Sequence, residues 1–329
     1  MNRKSIIILV NYNNACDTID CINSIKKSDN TDYCIVVVDN NSLDDSYVKF
    51  ADYTNRNDVD NKYNDLLNIN RSYNLLVSNN LLFIKTPINL GFAGGNNFGV
   101  RFVKNIGLNF EYVWFLNNDT IIEVNTLGYL VERMEYERIN NSRLGILGCK
   151  LFRYYQPDRF QGVGGMYNKY TATCSQLGDG EFDEGQYDVQ DVIFNYPIGA
   201  SLFVSCDFIE KVGLMEESYF LYFEELDWVM RGKQYDFRFG YEYKARVFHK
   251  EGGSTKSSVK RLSLIADQCQ VRNRIIFTYR YYPQYLISVI PFTFGSVLNR
   301  FLRGQFKRAI ELLLVIFKTS FGILFRCYE

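Results

Sequence analysis

"YVWFLNNDT", residues 112–120, opens as an apolar run and closes on three polar side chains. Tyr112–Leu116 are aromatic and aliphatic residues that fit a short buried strand. Asn117, Asn118 and Asp119 follow at once, with Thr120 behind them. The same pattern recurs upstream. Ile6–Val10 runs into "NYNN", Cys34–Val38 into "DNNS" and Leu81–Lys85 into "PINLGFAGGNN". Helix-compatible stretches lie between and after these runs, at Cys16–Lys27, Asn96–Asn105 and Asn125–Arg138. Strands alternating with helices predict an α/β fold of βαβ units, with a mostly parallel central sheet and helices on both faces. Ligands of such sheets sit beyond the carboxyl ends of the strands. Four polar strand ends in succession therefore point to one shared site.

The chain has 329 residues, 47% hydrophobic and 22% charged, ample for a large core. Its eight cysteines form no CxxC pair and read as reduced cytosolic thiols. "MNRKSIIILVNYNN" has too short an apolar run for a secretory leader and reads as a first strand. Residues 52–80, rich in Asn and Asp, read as an insertion. Residues 151–195 predict irregular or antiparallel structure over the sheet's end. The charge is neutral overall but uneven: residues 256–329 hold 12 Lys and Arg against 3 Asp and Glu. A basic, apolar tail suits an anionic membrane surface better than nucleic acid, although a basic helical subdomain on an acidic body gives the same composition. Within the tail, residues 262–283 predict an amphipathic helix ended by Pro283. Residues 285–298 are apolar but interrupted by Pro291. From Leu298, apolar positions 298, 302, 306, 309, 313 and 316 predict one helical stripe. No stretch reaches a spanning length on this reading, so an interfacial helix is expected.

Several residue groups offer chemistry, each with a plainer alternative. Asp39, in "DNNSLDDS", can accept a hydrogen bond from a base, or cap a helix. Gly91, Gly94, Gly95 and Gly99 of "NLGFAGGNNFG" can bring backbone N–H groups to a phosphate, but lack the spacing of a Rossmann or P-loop fingerprint. Asp119 with Asn117 can hold a hard divalent cation against a diphosphate, or form a helix N-cap. His249, the only histidine, precedes "KEGGST" and is a ligand candidate. "YFLYFEELDWVMRG" (219–232) packs Glu224, Glu225 and Asp227 between aromatic residues. Such walls raise a carboxylate's pKa toward that of a useful general base; acids in a first helical turn are the plainer account.

Together the motifs, in order from residue 5 to about 256, resemble the family 2 glycosyltransferases of GT-A fold, especially the rhamnosyltransferase-like branch. The tail is similar to that branch's basic, apolar C-terminus. The resemblance implies a GT-A domain over 1–262 and a helical, membrane-associating region over 263–329. It implies that Asn11, Asp39 and Asn41 contact the nucleotide. Gly91, Gly94, Gly95, Asn96, Asn97 and Asn117 would lie along the nucleotide-sugar. Asp119 and His249 would hold Mg2+ or Mn2+, and Glu225 would be the base, with Asp227 its rival or orienter. The implied activity is inverting transfer from dTDP-rhamnose or a UDP-sugar to a lipid-linked glycan, peripheral to the inner face of the cell membrane and without nucleic acid. Two residues depart from the family pattern: the metal motif reads Asn-Asn-Asp, and the base is Glu where Asp is commoner. An inactive nucleotide-binding scaffold and a sugar nucleotidyltransferase are the rival readings; the latter lacks a basic signature loop near the N-terminus.

Overall fold

The computed structural model describes residues 2–56, 76–78, 80–250 and 263–324. Most of the 52–80 insertion and the "EGGST" stretch after Lys250 lie outside them. The elements in chain order are β1 (Asn2–Asn11), α1 (Ala15–Ile25), β2 (Tyr33–Asp39), α2 (Ser46–Arg56), β3 (Leu76–Ser78), β4 (Leu81–Lys85) and α3 (Gly91–Asn105). There follow β5 (Asn109–Leu116), β6 (Thr120–Ile122), α4 (Thr126–Ile139), β7 (Leu144–Arg153), β8 (Gln156–Gly162), β9 (Gly164–Asn168), β10 (Thr173–Leu177), β11 (Ser201–Ser205) and α5 (Cys206–Val212). The chain continues with α6 (Glu224–Lys233), β12 (Arg238–His249), α7 (Leu264–Tyr281), α8 (Leu286–Leu302) and α9 (Phe306–Leu324).

The sheet runs β3-β4-β2-β1-β5-β11-β7-β12-β6. It is parallel across β4, β2, β1 and β5, as βαβ units require, and turns antiparallel at β11. Both faces are covered, and the period-2 alternation shows why the strands are apolar throughout. Ile6, Ile8, Val36, Val38, Val113 and Phe115 join the core under α3, α5 and α6. Ile7, Leu9, Ile35, Val37, Trp114 and Leu116 join the opposite core under α1, α2 and α4. Register then gathers the polar ends: Asn11 pairs with Asp39, Asp39 with Lys85, and His249 with Thr120. Residues 151–195 are largely antiparallel: β8 pairs with β7, and β9 and β10 form a hairpin.

Three expectations are corrected here. The glycine segment is no loop, because α3 begins at Gly91. Gly95 lies where an added Cβ would come within 2.9 Å of Val10, and Gly99 where it would meet Ile8 at 3.0 Å. Gly94 faces Leu90 of the preceding turn. These glycines let the helix lie close on β1. In the tail, Pro291 does not end α8, and Pro283–Leu302 forms one run long and apolar enough, by length and composition, to cross a membrane. The single stripe from Leu298 is also divided. Gly304, at φ +69°, turns the chain between α8 and α9. Ala309, Leu312 and Ile316 pack against Val271 and Ile275 of α7, whereas Phe306, Ile310, Leu314, Phe317 and Phe321 are exposed on the other side of α9.

Candidate active site

A cavity of about 550 Å3 opens beyond the ends of β1, β5 and β12, and both Asp119 and Glu225 line it, with His249. The chain therefore brings together the two carboxylates expected to flank a sugar, 106 residues apart in sequence.

The turn after β5 fixes Asp119. Asn117 N donates to Ala200 O (2.9 Å), and Thr120 Oγ1 donates to Asn117 O (2.7 Å). Because β6 runs antiparallel to the end of β12, His249 stands beside this turn, its Nε2 3.0 Å from Asp119 Oδ1. Its Nδ1 lies 2.8 Å from Gln161 Oε1 and takes the donor role, as assigned from that partner. Nε2 then presents a lone pair to a carboxylate oxygen. Two acceptors this close need a proton or a cation between them. Adjacent ligands of an octahedral cation with bonds of about 2.1 Å stand about 3 Å apart, so the pair fits Mg2+ or Mn2+. Asn117 Nδ2 is 3.3 Å from the same nitrogen. Among the described residues no group of three His, Cys, Asp or Glu gathers at one point. Such a cation would be completed by substrate phosphate and water.

Glu225 is set by an unusual loop. Phe220, Tyr222 and Phe223 have φ of +63°, +69° and +77°, a conformation costing on the order of 1–3 kcal/mol for each non-glycine residue. What holds it is α7. Asn273 Nδ2, fully buried, lies 2.9, 2.8 and 3.0 Å from the carbonyls of Tyr219, Leu221 and Tyr222. Phe92 N donates to Phe220 O at 2.7 Å, where Gly91, at φ +73°, has no side chain to block the approach. Helix α6 starts from this loop with Glu224 and Glu225 in its first turn. Burial pushes both carboxyls well above the usual carboxylate range, and the Glu225 charge pushes Glu224 further. Gly199 faces Glu225 Oε1, so that wall carries no side chain.

Asp227, expected as a rival base or an orienter, is placed otherwise. It is buried and does not line the cavity. Tyr281 Oη (2.7 Å) and Tyr219 Oη (3.3 Å) donate to Oδ1, and Arg231 Nε (2.7 Å) to Oδ2. With its oxygens so occupied, it anchors α6 to α7. Helix α7, expected only as an amphipathic helix at the start of the membrane-associating region, thus forms a wall of the cavity with Ser263 before it, through Ile265, Gln270 and Arg274. We expect Asn273→Leu, which keeps the volume but strands three carbonyls, to cost about 3 kcal/mol and to lower kcat by displacing Glu225. Thermal melts and turnover check this; unchanged values of both would refute it.

Of the residues expected at the nucleotide, Gly91 and Asn117 line the cavity. The others stand behind it. Asn11, without exposure, donates to Asp39 Oδ1 (2.9 Å) and Ser42 Oγ (3.0 Å) and accepts from Thr18 (2.9 Å). Asp39 also receives Ser42 Oγ and faces Lys85 at 3.8 Å. Asn41 makes the following turn at φ +61°. Asn96 Nδ2 donates to Phe92 O (3.0 Å), and Asn97 ties α3 to Met215 and Glu217. Asn40, which sequence reasoning passed over, lines the cavity and binds Asn89, Gly91 O and Leu90 N. Gln161 and Arg274 were equally unforeseen.

The fold is consistent with GT-A, and it sets acceptor groups at the end of a central strand facing a carboxylate on a helix start across one cleft. Residues 6–161 match the family described as Glycosyl transferase family 2. Among solved structures it is similar to GalNAc-T7 with UDP, GalNAc and Mn2+ (TM-score 0.59, 13% identity, 86% of this chain and 49% of that one). It is also similar to S. aureus TarS 1–349 in complex with UDP-GlcNAc (0.54, 16%, 96% and 81%). A third is the mannosyltransferase PcManGT of Pyrobaculum calidifontis with GDP-Man and Mn2+ (0.52, 11%, 100% and 89%). At these identities the likeness concerns the fold, and the chain spans about half the length of GalNAc-T7. No curated protein sequence matches it.

Proposed function

We propose that the protein is an inverting glycosyltransferase that moves a sugar from a nucleotide-diphospho sugar, dTDP-rhamnose or a UDP-sugar, to a hydroxyl of a lipid-linked glycan. The observation that carries this reading is the opening of Asp119, His249 and Glu225 onto one cavity. Glu225, destabilised as an anion by burial, takes the proton from the acceptor hydroxyl. The oxygen attacks the anomeric carbon from the face opposite the leaving group, and the bond to the diphosphate breaks with its electron pair. Inversion follows from the single displacement. Asp119 and His249 would hold a divalent cation, which when bound supplies charge neutralisation to the leaving diphosphate. Asn117 and the backbone at Gly91 line the donor's path, and the buried strands keep the reacting partners in line. Release of nucleoside diphosphate from a donor panel, with Mg2+ or Mn2+, tests the reading. No release with any donor would leave a nucleotide-binding scaffold, and pyrophosphate release from a nucleotide and a sugar phosphate would mark a nucleotidyltransferase.

The acceptor's lipid is inferred from the tail. On α9, Phe306, Ile310, Leu314, Phe317 and Phe321 form an exposed stripe, joined by exposed Leu298, Phe301 and Leu302 of α8. Arg303, Lys307 and Lys318 flank it, whereas Arg300 and Arg308 turn inward to Asp267. Such a surface suits the interface of an anionic cytoplasmic leaflet. Each apolar side chain it buries contributes about 1.5–3 kcal/mol. The triple variant Ile310→Glu, Leu314→Glu, Phe317→Glu should therefore lose more than tenfold in co-sedimentation with phosphatidylglycerol vesicles while melting like the parent. Undiminished binding would sink the membrane assignment.

A further inference from the structure

The cavity has a charged group that the proposed reaction does not use. Arg274 of α7 lines it and is only 6% exposed. Its Nε and one Nη have no hydrogen-bond partner among the described residues, and no carboxylate there pairs with it. Phe292 lies 5.5 Å from the guanidinium, a contact that leaves the N–H donors free. The contrast with Arg133, the other buried arginine described, is direct: Arg133 is held by Glu137 at 2.7 Å. A guanidinium cannot shed its proton, so a buried one without an anion is costly to the fold. Its planar fork matches the paired oxygens of a phosphate or carboxylate.

Arg274 also belongs to the helix that positions the base. Its electrostatic neighbours are Cys174 and Tyr167, on the β9–β10 hairpin. The Cys174 thiol in turn feels both Arg274 and Glu225. Arg274 directly follows Asn273, whose amide pins the loop leading into Glu225, so the guanidinium reaches the cavity from the helix that holds the base.

We propose that Arg274 is a specificity residue that binds an anionic oxygen group, phosphoryl or carboxylate, on the acceptor. The inference rests on the transferase reading for giving that anion to the acceptor; the anion site itself is tested without turnover. Calorimetric titrations of the full chain, with EDTA present so that Asp119 and His249 hold no cation, compare inorganic pyrophosphate, a methyl glucuronoside and a neutral methyl glucoside. At least one anion should bind more tightly than the glucoside. Arg274→Gln should weaken that anion about tenfold or more, and Arg274→Lys should retain part of the affinity. A preference for pyrophosphate marks a phosphoryl acceptor, and one for the glucuronoside a carboxylate. The proposal is overturned if Arg274→Gln binds both anions like the parent, or if neither anion exceeds the glucoside; the second outcome decides even should the variant not fold. Nucleoside diphosphate release is measured separately. A protein that binds the anion through Arg274 yet releases none contradicts the transferase reading alone.

Discussion

Glu225→Gln is expected to lower kcat by about 100- to 10,000-fold, the range for loss of a positioned general base. The amide keeps the shape of the carboxylate, so nucleotide binding should stay within about twofold of the parent, and the melting temperature should not fall. The pH dependence sharpens the test. The base works ionised, and burial raises its pKa. Parental kcat should therefore rise through the upper end of the carboxylate range toward neutrality and level off above. The variant's residual rate should lack that limb. Stability should run the other way. Glu224 and Glu225 bind protons more tightly folded than unfolded, so their contribution is full below the ordinary carboxylate pKa and is lost as pH rises through the raised values. Glu224, whose Oε2 lacks a hydrogen-bond partner among the described residues, gives the cleaner stability readout: Glu224→Gln should gain on the parent as the solution becomes alkaline. Unchanged kcat in Glu225→Gln, measured by nucleoside diphosphate release, would remove the mechanism proposed here.

The strands and the polar ends that gather the site were legible because period-2 burial on two faces leaves a run of apolar residues that must stop where the sheet does. Tyr112–Leu116 stops at Asn117 for that reason. The choice between Glu225 and Asp227 was also open to reading. At 3.6 residues per turn, side chains two apart point about 200° from one another, so only one could face the cleft. The glycines were not decidable: a helix packed closely on β1 and a loop cradling phosphate both demand a missing side chain. Nor was Asn273. Nothing in its neighbourhood announces that a helix 50 residues downstream supplies the amide that pins the loop before Glu225. The apolar residues around it, Val271, Ile275, Ile276 and Phe277, look the same in sequence whether they face lipid or a protein core.

Asp119→Asn tests the other wall of the cleft and should cost about 100- to 1,000-fold in kcat, comparable to removing one preorganised electrostatic contact to the leaving group. The motif's other two positions are already amides, so this change removes the last carboxylate from it. Asp119 Oδ1 and His249 Nε2 are 3.0 Å apart, and the two explanations of that contact diverge under the mutation. If a cation lies between them, Mn2+ binding followed by electron paramagnetic resonance should weaken at least tenfold in Asp119→Asn and in His249→Gln, and EDTA should abolish turnover in the parent. If instead an imidazolium proton bridges them, Mn2+ affinity will be the same in parent and variants. The loss will then appear as lower thermal stability of the variants. Gln161, bonded to Nδ1 at 2.8 Å, separates the cases further. Gln161→Leu frees the ring to change tautomer, which should weaken a metal site through its ligand's orientation, whereas a doubly protonated ring would lose the acceptor of its Nδ1–H and the effect would fall on stability alone.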